Sequence, residues 1–426
     1  MAEYRAPGVY VEEVSSGIKP IAGVGTSTAG FVGVVADGVT TPLLPGSPDT
    51  SYPLAPENEA RLVTGWEAFT RQFGDIQPGN LVLAHAVYGF FNNGGGRCWV
   101  TRIAGAAPPA PASRPAKKAA PPAADQPAVA AVSAAVPVAA DIDAVPAAAV
   151  TAALDTFRPI DEIAIVVVPG ATSDAVQNAV LDHCENEFLK DRFAVLDGRR
   201  TDEATKDAIQ GGTRDSSYGA IYHPWVRVYD PVSNDLLSVP PSGYVAGVYA
   251  RVDADRGVHK APANEVIRGA LDLVTPVSRQ DQAGLNPADI NVIRKFGPNV
   301  TIYGAHTLAG EEDAEWRYLN VRRLFLFLRD SIQAGVQWTV FEPNDMALWG
   351  KLRRNVGAFL TNVWRSGALV GATPQEAFYV RCDETLNTPD VQALGQVIVE
   401  IGVAPVRPAE FVIFRISQWA GPAAAA

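Results

Sequence analysis

Residues 163–196, IAIVVVPGATSDAVQNAVLDHCENEFLKDRFAVL, carry the pattern that decides the fold class. Ile163 to Val168 is an unbroken apolar run closed by Pro169-Gly170. A strand apolar on both faces has to be covered on both faces. The spacing then predicts a helix over Asp174 to Leu189, a strand over Phe193 to Leu196, a helix over Asp202 to Gln210 and a strand over Ala220 to Tyr229. Continuous apolar strands alternating with amphipathic helices indicate an α/β sheet with helices on both sides.

Toward the N-terminus, Ala29 to Ala36 (AGFVGVVA) reads as another buried strand. Trp66 to Phe73 and Asn80 to Phe91 read as helices, the second stopped by Asn92-Asn93-Gly94-Gly95-Gly96, and Arg97 to Ile103 as a strand. Between Gly105 and Val150, 20 of 46 residues are Ala and 9 are Pro. That composition interrupts both helix and ladder and offers little area to bury, so it predicts a linker or disordered surface insertion. Toward the C-terminus comes a proline-bounded stretch from Ser238, then strands near Val292–Phe296 and Val300–Tyr303. Helices follow over Asn320 to Gln333 and Asp345 to Ser366, and strands over Phe378 to Cys382 and Glu400 to Val406. A β-rich run, Ala409 to Trp419, comes last.

At 426 residues the chain exceeds one ordinary core, and two or three packed units are expected. Only 19% of residues are charged, against about 25% in an average soluble chain. Such a chain buries much of its surface, in itself or against others. A net charge of −11 argues against nucleic-acid binding, which needs a basic field. Cys98, Cys184 and Cys382 lie far apart without CxxC spacing and read as reduced, buried thiols of a cytoplasmic product. MAEYRAPGVYVEEV is not a secretory signal, and no run of 18 apolar residues suggests membrane insertion.

Both ends depart from the polar, frayed norm. GVYVEEV at 8–14 is β-prone, and Glu410 to Gln418 sets Phe411 and Ile413 on one face against Val412, Phe414 and Ile416 on the other. Either strand could complete a sheet in its own subunit or add to the sheet edge of a neighbour. A head-to-tail contact of the second kind generates a helical filament when it does not close.

Four strings bring a family into view: APGVYVEEV at 6–14, PPSGYVAGVYARVDADRGVHKAPAN at 240–264, NVRRLFLFLRDSI with QWTVFEPND within 320–345, and GVAPVRPAEFVIFRISQ at 402–418. In these the chain resembles the sheath proteins of contractile phage tails and contractile injection systems. The resemblance implies an α/β (α+β) multidomain subunit without catalytic site, metal or cofactor. Its C-terminal sheath domain would hold a mixed sheet flanked by helices. The implied layout is an N-terminal arm and connection at 1–25, an α/β body at 26–104 and 151–239, and the insertion at 105–150. A sheath domain at 240–408 and a C-terminal arm at 409–426 complete it.

By the same resemblance, such subunits polymerise around an inner tube, engage baseplate and cap components, and contract to drive the tube through a membrane. Assembly would be cytoplasmic, with the product in a virion or released particle. Val9, Tyr10, Val11 and Glu12 would form the N-terminal arm strand, and Phe411, Val412, Ile413, Phe414 and Ile416 the C-terminal one, each pairing with a neighbour. Lys351, Arg353 and Arg354 could face an acidic tube, and Arg322 with Arg323 could form an intersubunit patch. The rival class is a tail or capsid subunit that forms rings or helices without contracting.

Enzyme readings find little support. GVGTSTAG at 23–30 has Thr28 where G-x-G-x-x-G needs glycine, and reads as a mobile small-residue connection. His183-Cys184-Glu185 shares one helix on adjacent positions, which do not face each other; a buried Cys beside a half-exposed His is the reading there. His259 lacks a nucleophile turn, while Asp253, Asp255 and Arg256 suit turn hydrogen bonds and ion pairs. Trp338, Phe341 and Trp349 suit core or interface packing.

Overall fold

The computed structural model describes residues 20–47, 49–105, 141–310 and 313–415. The N-terminal arm residues Val9 to Glu12, Ile416, and the insertion over 106–140 lie outside the described residues. In chain order the strands are β1 (Ala29–Ala36), β2 (Arg61–Val63), β3 (Cys98–Gly105), β4 (Ile165–Val167), β5 (Phe193–Asp197), β6 (Gly219–His223), β7 (Val226–Asp230), β8 (Asp235–Val239), β9 (Glu265–Val266), β10 (Ala270–Leu273), β11 (Ile290–Phe296), β12 (Asn299–Ile302), β13 (Phe378–Arg381) and β14 (Glu400–Val403). The helices are α1 (Trp66–Phe73), α2 (Leu81–Asn92), α3 (Ala147–Asp155), α4 (Asp174–Glu185), α5 (Lys206–Ile209), α6 (Ser242–Arg256), α7 (Arg279–Leu285), α8 (Leu319–Val336), α9 (Met346–Arg365), α10 (Pro374–Ala377) and α11 (Pro389–Ala393).

Nine strands form one mixed sheet in the order β2-β3-β1-β4-β5-β6-β11-β12-β9. The six from β3 to β11 run parallel, β2 is antiparallel to β3 at one edge, and at the other β12 is antiparallel to β11 and β9 to β12. Alternation along β1 shows how the sheet is covered: Phe31 and Val35 join the core under α2 and α6, while Val32 and Val34 join the core under α3 and α4. All eight residues of β1 are buried. A three-stranded antiparallel sheet, β10-β7-β8, stands beside this layer. After residue 313, α8 and α9 pack together around Leu324, Leu328, Val356, Phe359 and Leu360, with β13 and β14 against them. Asp345 starts α9 by accepting the Leu348 N–H at 2.8 Å.

Several expectations need correction. The strand expected over 220–229 is two strands, β6 and β7, because Pro224 has no N–H for the ladder. The helix expected to reach Leu189 stops at Glu185, where Asn186 Oδ1 accepts the Phe188 N–H in a local turn. The insertion ends sooner than Val150: Ile142 and Val150 are buried, and the Asp143 carboxylate accepts from the Thr172 and Ser173 N–H groups at 3.0 Å.

The proline-bounded stretch after Ser238 contains α6, the central buried helix. From Ser242 to Ala250 every residue of α6 is buried. It crosses α2 closely enough that a Cβ on Gly243 would lie 2.5 Å from the Ala86 carbonyl oxygen, and one on Gly247 2.5 Å from that of Phe90. A division at 239/240 therefore cuts a continuous core, since α6, β9, β11 and β12 belong to the same layers as β1 to β6.

Candidate functional site

The two chain ends meet the body at opposite ends of α8. The lead-in from residue 20 runs along the C-terminal half of this helix. Ile21 is buried where Gly335 leaves room, the Val24 N–H donates to Ser331 Oγ at 3.1 Å, and a Cβ on Gly23 would press Phe327 at 2.9 Å. Thr26 Oγ1 donates to Asp253 at 2.7 Å. The connection expected to be mobile is docked over these residues, and Gly23 serves the close approach to Phe327.

Arg323 secures the same junction. Its guanidinium is buried, pairs with Asp253 at 2.6 Å and donates to the Thr26 carbonyl at 2.9 Å. Arg322 is also buried, with its guanidinium carbon 3.7 Å from the Trp316 ring centre and 4.5 Å from that of Tyr218. Both arginines are spent inside the subunit, which corrects their reading as an intersubunit patch. Adjacent arginines on a helix look like a charged face in sequence; only the partners, Asp253 and Trp316, reveal an internal joint.

The C-terminal root is held at the other end of α8. The Val406 N–H donates to the Ala368 carbonyl at 3.1 Å, and Asn320 Nδ2 to the Val406 carbonyl at 3.1 Å. Glu410 is then seated against Asn286 Nδ2, His306 Nε2 at 3.3 Å and the Tyr318 hydroxyl at 3.2 Å. Beyond it, residues 411–415 belong to no strand. Phe411, Val412, Ile413 and Phe414 are 76%, 69%, 79% and 84% exposed. Among the described residues, 411–415 pair with no strand and the apolar side chains of 411–414 are left uncovered.

His306 is 2% exposed, and both ring nitrogens face acceptors. Nδ1 lies 3.1 Å from the Asn286 carbonyl and 3.1 Å from Asp289 Oδ1, while Nε2 faces Glu410. Only the imidazolium places a proton on each. Burial alone would lower its pKa, but Asp289 and Glu410 outweigh it and raise the pKa to about 9. The His306 contact draws Glu410 down to about 2, against the effect of burial. No sequence motif marks His306, because its partners come from 286, 289, 318 and 410.

The cationic residues on α9 are placed differently. Arg353 and Arg354 are exposed and Lys351 is half-buried, while Leu348, Leu352 and Val356 face inward. Helix α9 contains no Asp or Glu, and among the described residues none of these three cations has an ion-pair partner within 4 Å. Of the aromatic candidates, Trp349 is core and Trp338 packs beside it, but Phe341 is fully exposed with φ of +69°.

The chemical candidates separate in space. His183 is buried, not half-exposed; burial and then Arg192 lower its pKa to about 3. Glu185 turns away from it to Arg214 at 2.9 Å. His259 is half-buried, its pKa lowered by burial and then by Arg256. Among the described residues, no group of three or more His, Cys, Asp or Glu could hold a metal ion, and no helix is long and apolar enough to cross a membrane.

With this geometry in view, comparison with known proteins defines the class. Residues 143–308 match the phage tail sheath protein central domain, and residues 311–418 the phage tail sheath C-terminal domain. The break between them falls where the nine-stranded layer gives way to α8. A prophage major tail sheath protein of Pseudomonas aeruginosa strain UCBPP-PA14 is 28% identical over 60% of this chain. The matched region spans 65% of that relative, just under two-thirds of its length.

Among solved structures, the anti-feeding prophage helical sheath in its contracted state is 30% identical, with a TM-score of 0.69 over 98% of this chain and 100% of that one. The PVC sheath complex of an extracellular contractile injection system, also contracted, is 26% identical with a TM-score of 0.71 over 99% of both chains. The chain belongs to the phage tail sheath family, a class of structural subunits of contractile sheaths.

Proposed function

We propose that this chain polymerises helically around an inner tube, engages baseplate and cap components, and shortens to drive the tube through a target membrane. The observation that carries the reading is the run Phe411–Phe414, four consecutive large apolar side chains left uncovered immediately after an anchored root. Water tolerates such a run poorly, and a strand added to a neighbour's sheet edge covers both of its faces and its backbone groups. Phe411, Val412, Ile413, Phe414 and Ile416 form this arm, and Val9, Tyr10, Val11 and Glu12 its N-terminal counterpart. The double variant Phe411→Asp/Phe414→Asp should leave the melting temperature within a degree or two while abolishing pelletable polymer in sedimentation. Normal polymer from that variant would refute the arm.

Tube contact falls to the exposed cations of α9. A helix face carrying Arg353 and Arg354 without carboxylates suits an acidic surface. Arg353→Glu/Arg354→Glu should still form sheath-like polymer yet no longer co-sediment with the cognate tube protein at low salt. Co-sedimentation equal to the wild type would move the tube contact elsewhere. We further propose two units, a body closing near Leu308 and a C-terminal unit built on α8 and α9, with assembly in the cytoplasm before release in a particle.

A further inference from the structure

The arm reading leaves open where along the chain the arm begins to move, and the geometry at Glu410 answers that. Residues 404–410 are tied down repeatedly: the Ala404 N–H donates to the Ala377 carbonyl at 2.9 Å, the Val370 N–H to the Ala404 carbonyl at 2.8 Å, and Val406 is held through both its N–H and its carbonyl. The last tie is Glu410, and residues 411–414 are exposed immediately after it. We propose that Glu410, seated between Asn286, His306 and Tyr318, is the fixed point of the C-terminal arm, which moves relative to the body only beyond it. This rests on the arm reading above.

The seat is built from separate elements. Asn286 closes α7, Asp289 precedes β11, His306 follows β12, and Tyr318 is the residue before α8. Asn291 of β11 holds His306 at both backbone groups, accepting its N–H and donating to its carbonyl, each at 2.7 Å. Asp289 Oδ1 stands 3.1 Å from His306 Nδ1 and 3.2 Å from Arg317 Nε. The buried imidazolium is therefore held rigidly, with a carboxylate on one side and room for a second on the other. Glu410 supplies that second carboxylate, and a charge-assisted bond to a buried cation is stronger than a neutral one.

Helix α8 connects this seat to the other chain end. Its 18 residues span about 27 Å at 1.5 Å per residue, with the Glu410 seat at its N-terminal end and the Ile21–Val24 docking near its C-terminal end. A rigid helix between two anchored roots keeps their separation constant while neighbouring subunits rearrange. The strut also explains why the arginine beside Asp253 is buried: it ties the N-terminal lead-in and α6 to the second turn of the same helix.

Hydrogen exchange on the full chain, below its assembly concentration, tests the fixed point. In the wild type the Val406 amide, which donates to the Ala368 carbonyl, should exchange at least tenfold more slowly than those of 411–415. Glu410→Ala should accelerate Val406 at least tenfold with α8 and α9 unchanged. Glu410→Gln, which retains the size and can still accept from Tyr318, should fall between the two and lower the His306 ring pKa measured by NMR. Equal exchange at Val406 in all three proteins would overturn the proposal, because backbone bonds alone would then hold the root. A defective fixed point and a defective arm remain distinguishable: the first changes exchange in unassembled protein, whereas the Phe411→Asp/Phe414→Asp variant fails only in assembly.

Discussion

His306 and Glu410 shift in opposite directions, and the signs define a pH window. The His306 pKa is raised from 6.5 to about 9, so its stabilisation is complete below 6.5 and lost as pH rises through 9. The Glu410 pKa is lowered from 4.5 to about 2, so its contribution is complete above 4.5 and lost as pH falls through 2. The seat is therefore at full strength between pH 4.5 and 6.5. Thermal unfolding of wild type and Glu410→Gln should differ most in that window and converge above pH 9. A constant difference across the range would mean that the charge pair does not stabilise the fold. Neither residue could be singled out in the sequence: a lone histidine at 306 and a glutamate at 410 become partners only through the fold. Arg322 and Arg323 show the converse, since their charge was visible but its burial was not.

At the scale of elements, legibility followed hydrophobic period. Helices α1, α2 and α9 fall within a residue or so of their expected limits, because one apolar stripe and clear stops such as Asn93-Gly94 and Ser366-Gly367 define them. Helix α6 went unseen for the opposite reason. Its residues Ser242–Ala250 are apolar or small all round, so they show no amphipathic period, and the glycines at 243 and 247 read as breakers. In the fold they permit the crossing with α2. Gly247→Leu should thus lower the free energy of unfolding by about 3 kcal/mol, since the new side chain meets the Phe90 carbonyl and Asn93. Chemical denaturation measures this directly, and a change under about 0.5 kcal/mol would show that the two helices can part at little cost. The same logic of cover governs the C-terminal run. Its alternation was legible, yet a strand needs an edge to join, and among the described residues none receives 411–415.

Across the whole molecule, the α/β alternation that opens at Ile163 led to the correct layered sheet, but not to its extent. The sheet gathers strands from residue 29 to residue 302, so the boundary at Pro240 that the resemblance implied cuts through it. Long-range parallel pairing, such as β6 with β11, leaves no local trace in sequence. The family strings supplied what periodicity could not, namely that the chain belongs to the phage tail sheath family. The described residues form a layered body with α8 running between the docked lead-in at Ile21–Val24 and the Glu410 seat. We propose that this body assembles head to tail through the two chain ends. Electron microscopy of the concentrated full-length protein, alone and with its cognate tube protein, tests that most directly. The account predicts hollow helical cylinders of uniform width; dispersed monomers under both conditions would contradict it.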